Sequence, residues 1–95
     1  MALCGGMKGA EVATAEIQGF IDKVREEAEK EVGRSFEKYE AKVYATQLVN
    51  GVNYFVKVNT GSNYVHMRLY KPFQGDVSFV TFQDNKTESD ELAYF

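Results

Sequence analysis

The sequence predicts an α+β domain in which a curled antiparallel sheet of about four to five strands wraps around one long helix. Two observations lead to this prediction. An amphipathic helical pattern runs from Thr14 to Val32, and runs of alternating polar and apolar residues fill most of the chain after it. A sheet with one apolar face needs a cover, which the helix is expected to supply. We expect one domain over residues 1–95, with a flexible N-terminal trunk over residues 1–11.

The helix is predicted by an apolar stripe whose members recur three and four residues apart. These are Ile17, Phe20, Ile21, Val24, Ala28 and Val32. Charged residues occupy the opposite side, as on a solvent-exposed helix face. Thr14 is suited to cap the N-terminus, and Gly33 is suited to end the helix because glycine adopts the left-handed conformation there.

A first hairpin is predicted around the sequence QLVNG, Gln47–Gly51, which lies between two strand-like runs. The pair NG is a favoured two-residue turn and would place Val49 opposite Val52. That register puts Leu48 on the polar face of the tip, beside Asn53. An exposed aliphatic residue at a tip is either simple loop packing or the anchor of a binding surface, and the pattern alone leaves both open.

Two turns and two strands are predicted after the first hairpin. They are the turn Asn59–Asn63, the strand Tyr64–Tyr70, the turn Lys71–Asp76 and the strand Val77–Gln83. A register that pairs Val58 with Val65 also pairs Val56 with Met67, which brings apolar residues together on one face. His66 alternates with these apolar residues and is therefore expected on the surface of the sheet.

Composition argues against several classes of protein. A net charge of −3 and the absence of a basic run argue against partners such as nucleic acid or a membrane surface. No apolar run has the length of a signal-peptide core or a membrane span. Cys4 is the only cysteine, so no internal disulfide can form. We therefore expect a cytoplasmic protein.

The residue types for catalysis or metal binding are scarce in this chain. His66 is the only histidine and Cys4 the only cysteine, whereas a metal site needs further ligands of this kind. A cysteine in a glycine-rich terminus has nothing to hold it against His66 as a base. We therefore expect no metal, no cofactor and no enzymatic activity.

Several segments resemble the stefins, the type 1 members of the cystatin superfamily, and they occur in the same order. They are Cys4-Gly5, Ala13–Glu16, Asn53–Val58, Val65–Arg68 and Asp90–Phe95. The first-hairpin motif of that family is Gln-Val-Val-Ala-Gly, and the matching residues here are Gln47, Leu48, Val49, Asn50 and Gly51. The resemblance covers essentially the whole chain and implies a cystatin-like fold.

The resemblance also implies reversible tight-binding inhibition of papain-like cysteine proteases, including lysosomal cathepsins. In such an inhibitor the trunk and two hairpin tips form a wedge that fills the protease cleft. The implied protease-binding residues are Leu3, Cys4 and Gly5 in the trunk, Gln47, Leu48, Val49, Asn50 and Gly51 in the first hairpin, and Pro72 and Phe73 in the second. Gly5 is expected to lie nearest the catalytic thiolate, where a Cβ would clash.

Two departures from the family keep a second function open. The first hairpin has Asn50 where the family has alanine, and the second has Pro72-Phe73 where stefins usually carry Leu-Pro. Phe73 either makes the apolar contact or folds back onto the sheet. The alternative function is a non-inhibitory binding module on the same fold. The resemblance further implies a monomer that can form a dimer by exchanging its first strand and helix.

Overall fold

The computed structural model describes residues 7–95, which form two helices and one antiparallel sheet of five strands. The helices are α1 (Ala15–Lys23) and α2 (Arg25–Val32), and the strands are β1 (Glu11–Val12), β2 (Glu40–Val49), β3 (Gly51–Asn59), β4 (Tyr64–Lys71) and β5 (Ser78–Lys86). The strands lie side by side in chain order. The predicted α+β, cystatin-like architecture is therefore confirmed.

The helical segment begins and ends where the sequence predicts, but it is interrupted at Val24. Thr14 Oγ1 accepts a hydrogen bond from the backbone N–H of Ile17 at 3.3 Å, and Gly33 ends α2 with a φ of 93°. The N–H of Val24 donates to the carbonyl of Ile21, three residues back, at 3.2 Å. The single predicted helix is thus two. An apolar stripe does not reveal this break because Val24 stays buried on the same side.

The core lies between the helices and one face of the sheet. Ile17, Ile21 and Ala28 are at most 1% exposed on the helical side. The sheet contributes Val56, Val58, Val65, Met67, Leu69 and Phe79. The β3–β4 register pairs apolar residues as predicted, with Val58 opposite Val65 and Val56 opposite Met67. Each such aliphatic side chain contributes roughly 1.5–3 kcal/mol when it is fully buried, so the burial of this layer strongly favours the folded state.

The first hairpin has a register one residue away from the predicted one. Leu48 lies opposite Val52 and Val49 lies opposite Gly51, so that Asn50 alone is outside the ladder at the tip. The predicted pairing of Val49 with Val52 is therefore wrong. Leu48 shares a sheet face with Val52 and not with Asn53.

A β-bulge farther from the tip also changes which residues of β2 face the core. The β2–β3 pairing shifts between Ala41 and Val43, because one extra residue on β2 is left unpaired there. Beyond the bulge the two faces of β2 are exchanged relative to a regular strand. Tyr44, and not Val43, then packs against the core.

The other face of the sheet is covered by the C-terminal segment, residues 87–95. Lys57 Nζ donates a hydrogen bond to the carbonyl of Glu88 at 2.7 Å, and Arg68 Nη1 donates to the carbonyl of Phe95 at 2.6 Å. The rings of Tyr94 and Phe95 lie against Phe55, with centroid distances of 5.8 and 5.6 Å. Alternation in the strands could not indicate this cover, since the segment has no regular structure of its own.

His66 is buried, so its predicted place on the sheet surface is wrong. Its exposed fraction is 1%, and it lies opposite Lys57 on β3 and Gln83 on β5. Neither ring nitrogen has a hydrogen-bond partner among residues 7–95. The histidine occupies the second face of a sheet that is closed on both faces at this point.

The described part of the predicted flexible trunk is docked on the sheet edge. In β1, Glu11 lies opposite Tyr44, and further back Met7 forms an isolated bridge with Gln47. The N–H of Lys8 donates to the carbonyl of Thr46 at 2.9 Å. Residues 7–11 therefore run along β2, antiparallel to it.

Candidate functional site

Three segments reach the same end of the sheet. In an up-and-down meander the β2–β3 and β4–β5 connections lie at one end, and the β3–β4 connection lies at the other. The N-terminal segment also runs toward the first of these ends, because Met7 lies opposite Gln47 whereas Glu11 lies opposite Tyr44. We call this end the tip edge and define it as residues Gln47–Gly51, Lys71–Asp76 and Met7.

The tip edge carries two exposed apolar side chains. Leu48 is 56% exposed and Phe73 is 62% exposed. Phe73 therefore does not fold back onto the sheet, which was the alternative left open by the sequence. Val49 is half-buried beside Leu48, and Pro72 precedes Phe73 at the second tip. Apolar side chains held in solvent at adjacent tips are suited to insert into a groove on another protein.

The first tip is supported from within the sheet by a buried polar pair. Asn53 Nδ2 donates a hydrogen bond to Gln47 Oε1 at 2.8 Å, and the exposed fractions of these two residues are 5% and 7%. Of the predicted site residues within residues 7–95, Gln47 is thus the one whose side chain lies mainly inside the fold. It holds the base of the tip that presents Leu48.

At Gly51 the first tip lies very close to β4. Its φ is +119°, and an added Cβ would lie 2.7 Å from the carbonyl oxygen of Lys71 and 2.7 Å from the hydroxyl oxygen of Tyr70. Only glycine fits this conformation and this spacing. The hydroxyl of Tyr70 also donates a hydrogen bond to the carbonyl of Asn50.

The second tip is fixed on both sides of its exposed aromatic residue. An added Cβ at Gly75 would lie 2.6 Å from Cγ of Pro72, so the loop closes tightly around Phe73. After the loop, Asp76 accepts a hydrogen bond from Lys23 Nζ of α1 at 2.8 Å. That bond holds the pKa of the Asp76 carboxyl below its ordinary value. The tip is therefore tied to the helix while Phe73 stays exposed.

Tyr70 is not among the predicted site residues, although its position could have been found. The predicted pairing of Val58 with Val65, continued along the two strands, places Tyr70 opposite Asn53, and the structure has the same pair. Because Tyr70 lies opposite Asn53, it is next to the first tip. The predicted trunk residues Leu3, Cys4 and Gly5 lie outside the described residues.

Metal-binding groups do not cluster in the described chain. Within residues 7–95, no three His, Cys, Asp or Glu side chains come together as metal ligands. Over the same residues, neither helix is long and apolar enough to cross a membrane.

Comparison with known proteins identifies the family. The Cystatin domain family profile matches residues 5–89. The chain is 39% identical over 95 residues to Cystatin-A2 of Dictyostelium discoideum, with 100% of each chain covered. It is 40% identical to Leukocyte cysteine proteinase inhibitor 1 of Sus scrofa, covering 98% of this chain and 94% of the relative. It is 39% identical to Stefin-2 of Mus musculus, covering 96% and 91%. The chain belongs to the cystatin family, in agreement with its resemblance to the stefins.

Proposed function

We propose that this chain is a reversible, tight-binding inhibitor of papain-like cysteine proteases of the cathepsin type, and not an enzyme. The observation that carries the proposal is the tip edge, where Leu48 and Phe73 are exposed beside the N-terminal segment. Membership of the cystatin family supports it, as does a relative named as a cysteine proteinase inhibitor. The tip edge would fill the active-site cleft as a blunt wedge.

The first tip would occupy the cleft without being cleaved. The β2–β3 ladder continues up to the pair Val49–Gly51, so the backbone on both sides of Asn50 is held in the hairpin. A protease cleaves a segment that lies extended across its nucleophile, and a hairpin closed this tightly cannot present one. Leu48 and Val49 would then bind as apolar anchors on the primed side.

The second tip would contact the same side of the cleft further from the nucleophile. Phe73 supplies a large exposed aromatic surface, and Pro72 with Gly75 limits the conformations of the loop that carries it. A restricted loop loses little conformational entropy on binding, which favours affinity. Complexes of this kind bury about 1,600 Å² in total, with a few anchors carrying most of the energy.

The trunk would bind on the non-primed side. From Met7, opposite Gln47, the chain has about 3.3–3.6 Å of reach for each preceding residue. Gly5 would pass close to the catalytic thiolate, and Leu3 would reach an apolar subsite, with Cys4 between them.

Titration of papain with the purified chain tests the proposal. We expect competitive inhibition that is near stoichiometric at nanomolar enzyme. A variant lacking residues 1–5 should inhibit more weakly, mainly through faster dissociation, while its melting temperature is unchanged. Full papain activity at micromolar chain would favour a non-inhibitory binding module on the cystatin fold. Repeating the titration with an exopeptidase of the same class measures how strongly the chain discriminates between endopeptidases and exopeptidases.

We also infer a cytoplasmic location and a monomeric inhibitor. A chain with one cysteine depends on no disulfide and suits a reducing compartment. Exchange of β2 and the helices between two copies would open the first hairpin and remove its tip from the wedge. Monomer and dimer fractions from size-exclusion chromatography, assayed separately against papain, distinguish these forms. If the dimer inhibits papain as strongly as the monomer, exchange does not remove the first tip from the wedge.

A further inference from the structure

Tyr70 connects the strand that leads to the second tip with the backbone of the first tip. Its hydroxyl donates a hydrogen bond to the carbonyl of Asn50, the one residue of the tip that lies outside the ladder. Its backbone is fixed in β4 opposite Asn53 on one side and Ser78 on the other. Ser78 Oγ adds a hydrogen bond to the Tyr70 carbonyl at 3.3 Å. The donor is therefore held by three strands.

The ring of Tyr70 also lies against Gly51. The position that a Cβ would take on this glycine is 2.8 Å from the Cε1 atom of Tyr70 and 2.7 Å from its hydroxyl oxygen. Glycine at this site leaves room for the aromatic ring, and the ring in turn limits the space in which the tip can move. Two contacts, one polar and one steric, thus converge on the peptide between Asn50 and Gly51.

We propose that Tyr70 is a positioning residue for protease inhibition, one that fixes the Asn50–Gly51 peptide of the first tip in its binding orientation. This rests on the proposed inhibitory function. The hydrogen bond from the Tyr70 hydroxyl restrains the Asn50 carbonyl, so that the tip presents Leu48 and Val49 in one arrangement. Since Tyr70 also directly precedes Lys71 of the second tip, it sets the position of the first tip relative to the second.

The expected energetic effect is a lower ordering cost on binding. A tip that is already fixed before it meets the protease loses less conformational freedom in the complex. The Tyr70–Asn50 hydrogen bond is exposed, so its loss should change the free energy of unfolding only slightly. The effect should therefore be seen in inhibition and in tip mobility rather than in stability.

The test is Tyr70→Phe, which removes the hydroxyl and keeps the ring against Gly51. Tyr64→Phe is the matched control, because Tyr64 lies in the same strand at the opposite end of the sheet. The inhibition constant for papain is measured for the full chain and both variants. The backbone order parameter of the Gly51 amide is measured by NMR relaxation in the free proteins, and a melting curve is recorded for each.

We expect Tyr70→Phe to raise the inhibition constant about 3- to 10-fold, because a less firmly held tip must be ordered on binding. It should also lower the Gly51 order parameter, with Tyr64→Phe unchanged in both. An unaltered inhibition constant for Tyr70→Phe, or an equal rise in both variants, would overturn the proposal. If the unmodified chain does not inhibit papain at all, the proposed function fails. In that case the Gly51 order parameter still decides whether Tyr70 fixes the tip.

Discussion

The two ends of the sheet are built differently. At the tip edge, Leu48 and Phe73 are more than half exposed. At the opposite end, the guanidinium of Arg34 donates to Asp84 Oδ2 at 2.6 Å and to Asn63 Oδ1 at 2.7 Å. The β3–β4 turn is thereby joined to the segment after α2 and to the end of β5. One end exposes apolar surface, and the other joins its polar groups to one another.

This difference separates stability from binding along the length of one sheet. Thr60 in the distant turn is 1% exposed, and its hydroxyl donates to the carbonyl of Asn63 at 2.8 Å. Removing a partner from such a buried arrangement leaves polar groups unsatisfied, which is costly. Truncating an exposed side chain at the tip edge leaves nothing unsatisfied. Substitutions at the tip edge should therefore lower the affinity for the protease and leave the free energy of unfolding nearly unchanged. Substitutions at the opposite end should do the reverse.

Leu48→Asp should have the largest effect on inhibition. A charge in place of the aliphatic anchor would be desolvated in the cleft, and we expect the inhibition constant for papain to rise about 100-fold. The melting temperature should change little, since Leu48 is mostly in solvent. Val12→Asp is the matched control, because Val12 is 79% exposed on β1 and lies outside the tip edge. A large loss of stability in Leu48→Asp would show that Leu48 contributes to the core and not only to binding.

Arg34→Ala should have the opposite signature. The side chains of Arg34 and Asp84 are 31% and 23% exposed, and the loss of their charged hydrogen bonds should lower the free energy of unfolding by about 2 kcal/mol. Burial raises the pKa of Asp84, but the hydrogen bond and charge of Arg34, together with hydrogen bonds from the N–H of Asn85 and from Asn63, hold the pKa below its usual value. Urea unfolding measures the stability change, and the papain inhibition constant of the folded variant should be unchanged.

The control for Arg34 is an ion pair at the other end. Lys23 and Asp76, joined at 2.8 Å, have side chains that are 57% and 75% exposed. Exposed pairs contribute little, so Lys23→Ala should leave urea unfolding nearly unchanged. Equal destabilisation by Arg34→Ala and Lys23→Ala would contradict the difference between the two ends.

The sequence was most informative where its pattern is regular. The β3–β4 register follows from alternation because Val56 and Val58 oppose Met67 and Val65 without interruption. The β2–β3 register does not, since Ala41 and Val43 are equally apolar and nothing in their order reveals a bulge between them. A one-residue shift then exchanges the faces of the strand beyond it.

The candidate site was predictable in its parts and less so in its arrangement. The exposure of Leu48 follows from its place at a tip, and the shared end of the two hairpins follows from the meander. The support given by Tyr70 and the burial of His66 depend on contacts between distant segments. His66 in particular is 1% exposed on the sheet face that also carries Lys57, and Lys57 bonds Glu88 in residues 87–95, which carry no periodic signal. Such contacts depend on tertiary packing that a local pattern does not encode.

His66 lies between the two ends and should make stability depend on pH without affecting the tips. Burial, reinforced by the charges of Lys57 and Lys86 and opposed by Asp90, lowers the pKa of His66 to about 4, below the ordinary value of 6.5. The unfolded chain therefore binds a proton between these values that the folded chain does not bind. The stabilisation is fully present above pH 6.5 and is lost as the pH falls through 4.

We expect the free energy of unfolding to fall by about 1–2 kcal/mol between pH 7 and pH 5 from this group. His66→Phe keeps an aromatic ring at the position and removes the titration. Urea unfolding of both chains at the two pH values isolates the difference, since all other titrating groups are shared. Equal pH dependence in the two chains would show that His66 does not resist protonation in the fold.

Phe73→Ala should have a smaller effect on inhibition than Leu48→Asp, and one that is confined to the tip edge. Phe73 is 62% exposed, so truncation should not alter the melting temperature. Loss of one aromatic contact at the second tip should raise the papain inhibition constant about 5- to 10-fold, less than the change at the first tip. Phe73→Leu should retain most of the affinity if apolar area is what matters. Val80→Ala, at a 47% exposed position on β5 outside the tip edge, should leave inhibition unchanged. If Phe73→Ala and Val80→Ala inhibit equally well, the second tip takes no part in binding, and the wedge consists of the first tip and the trunk alone.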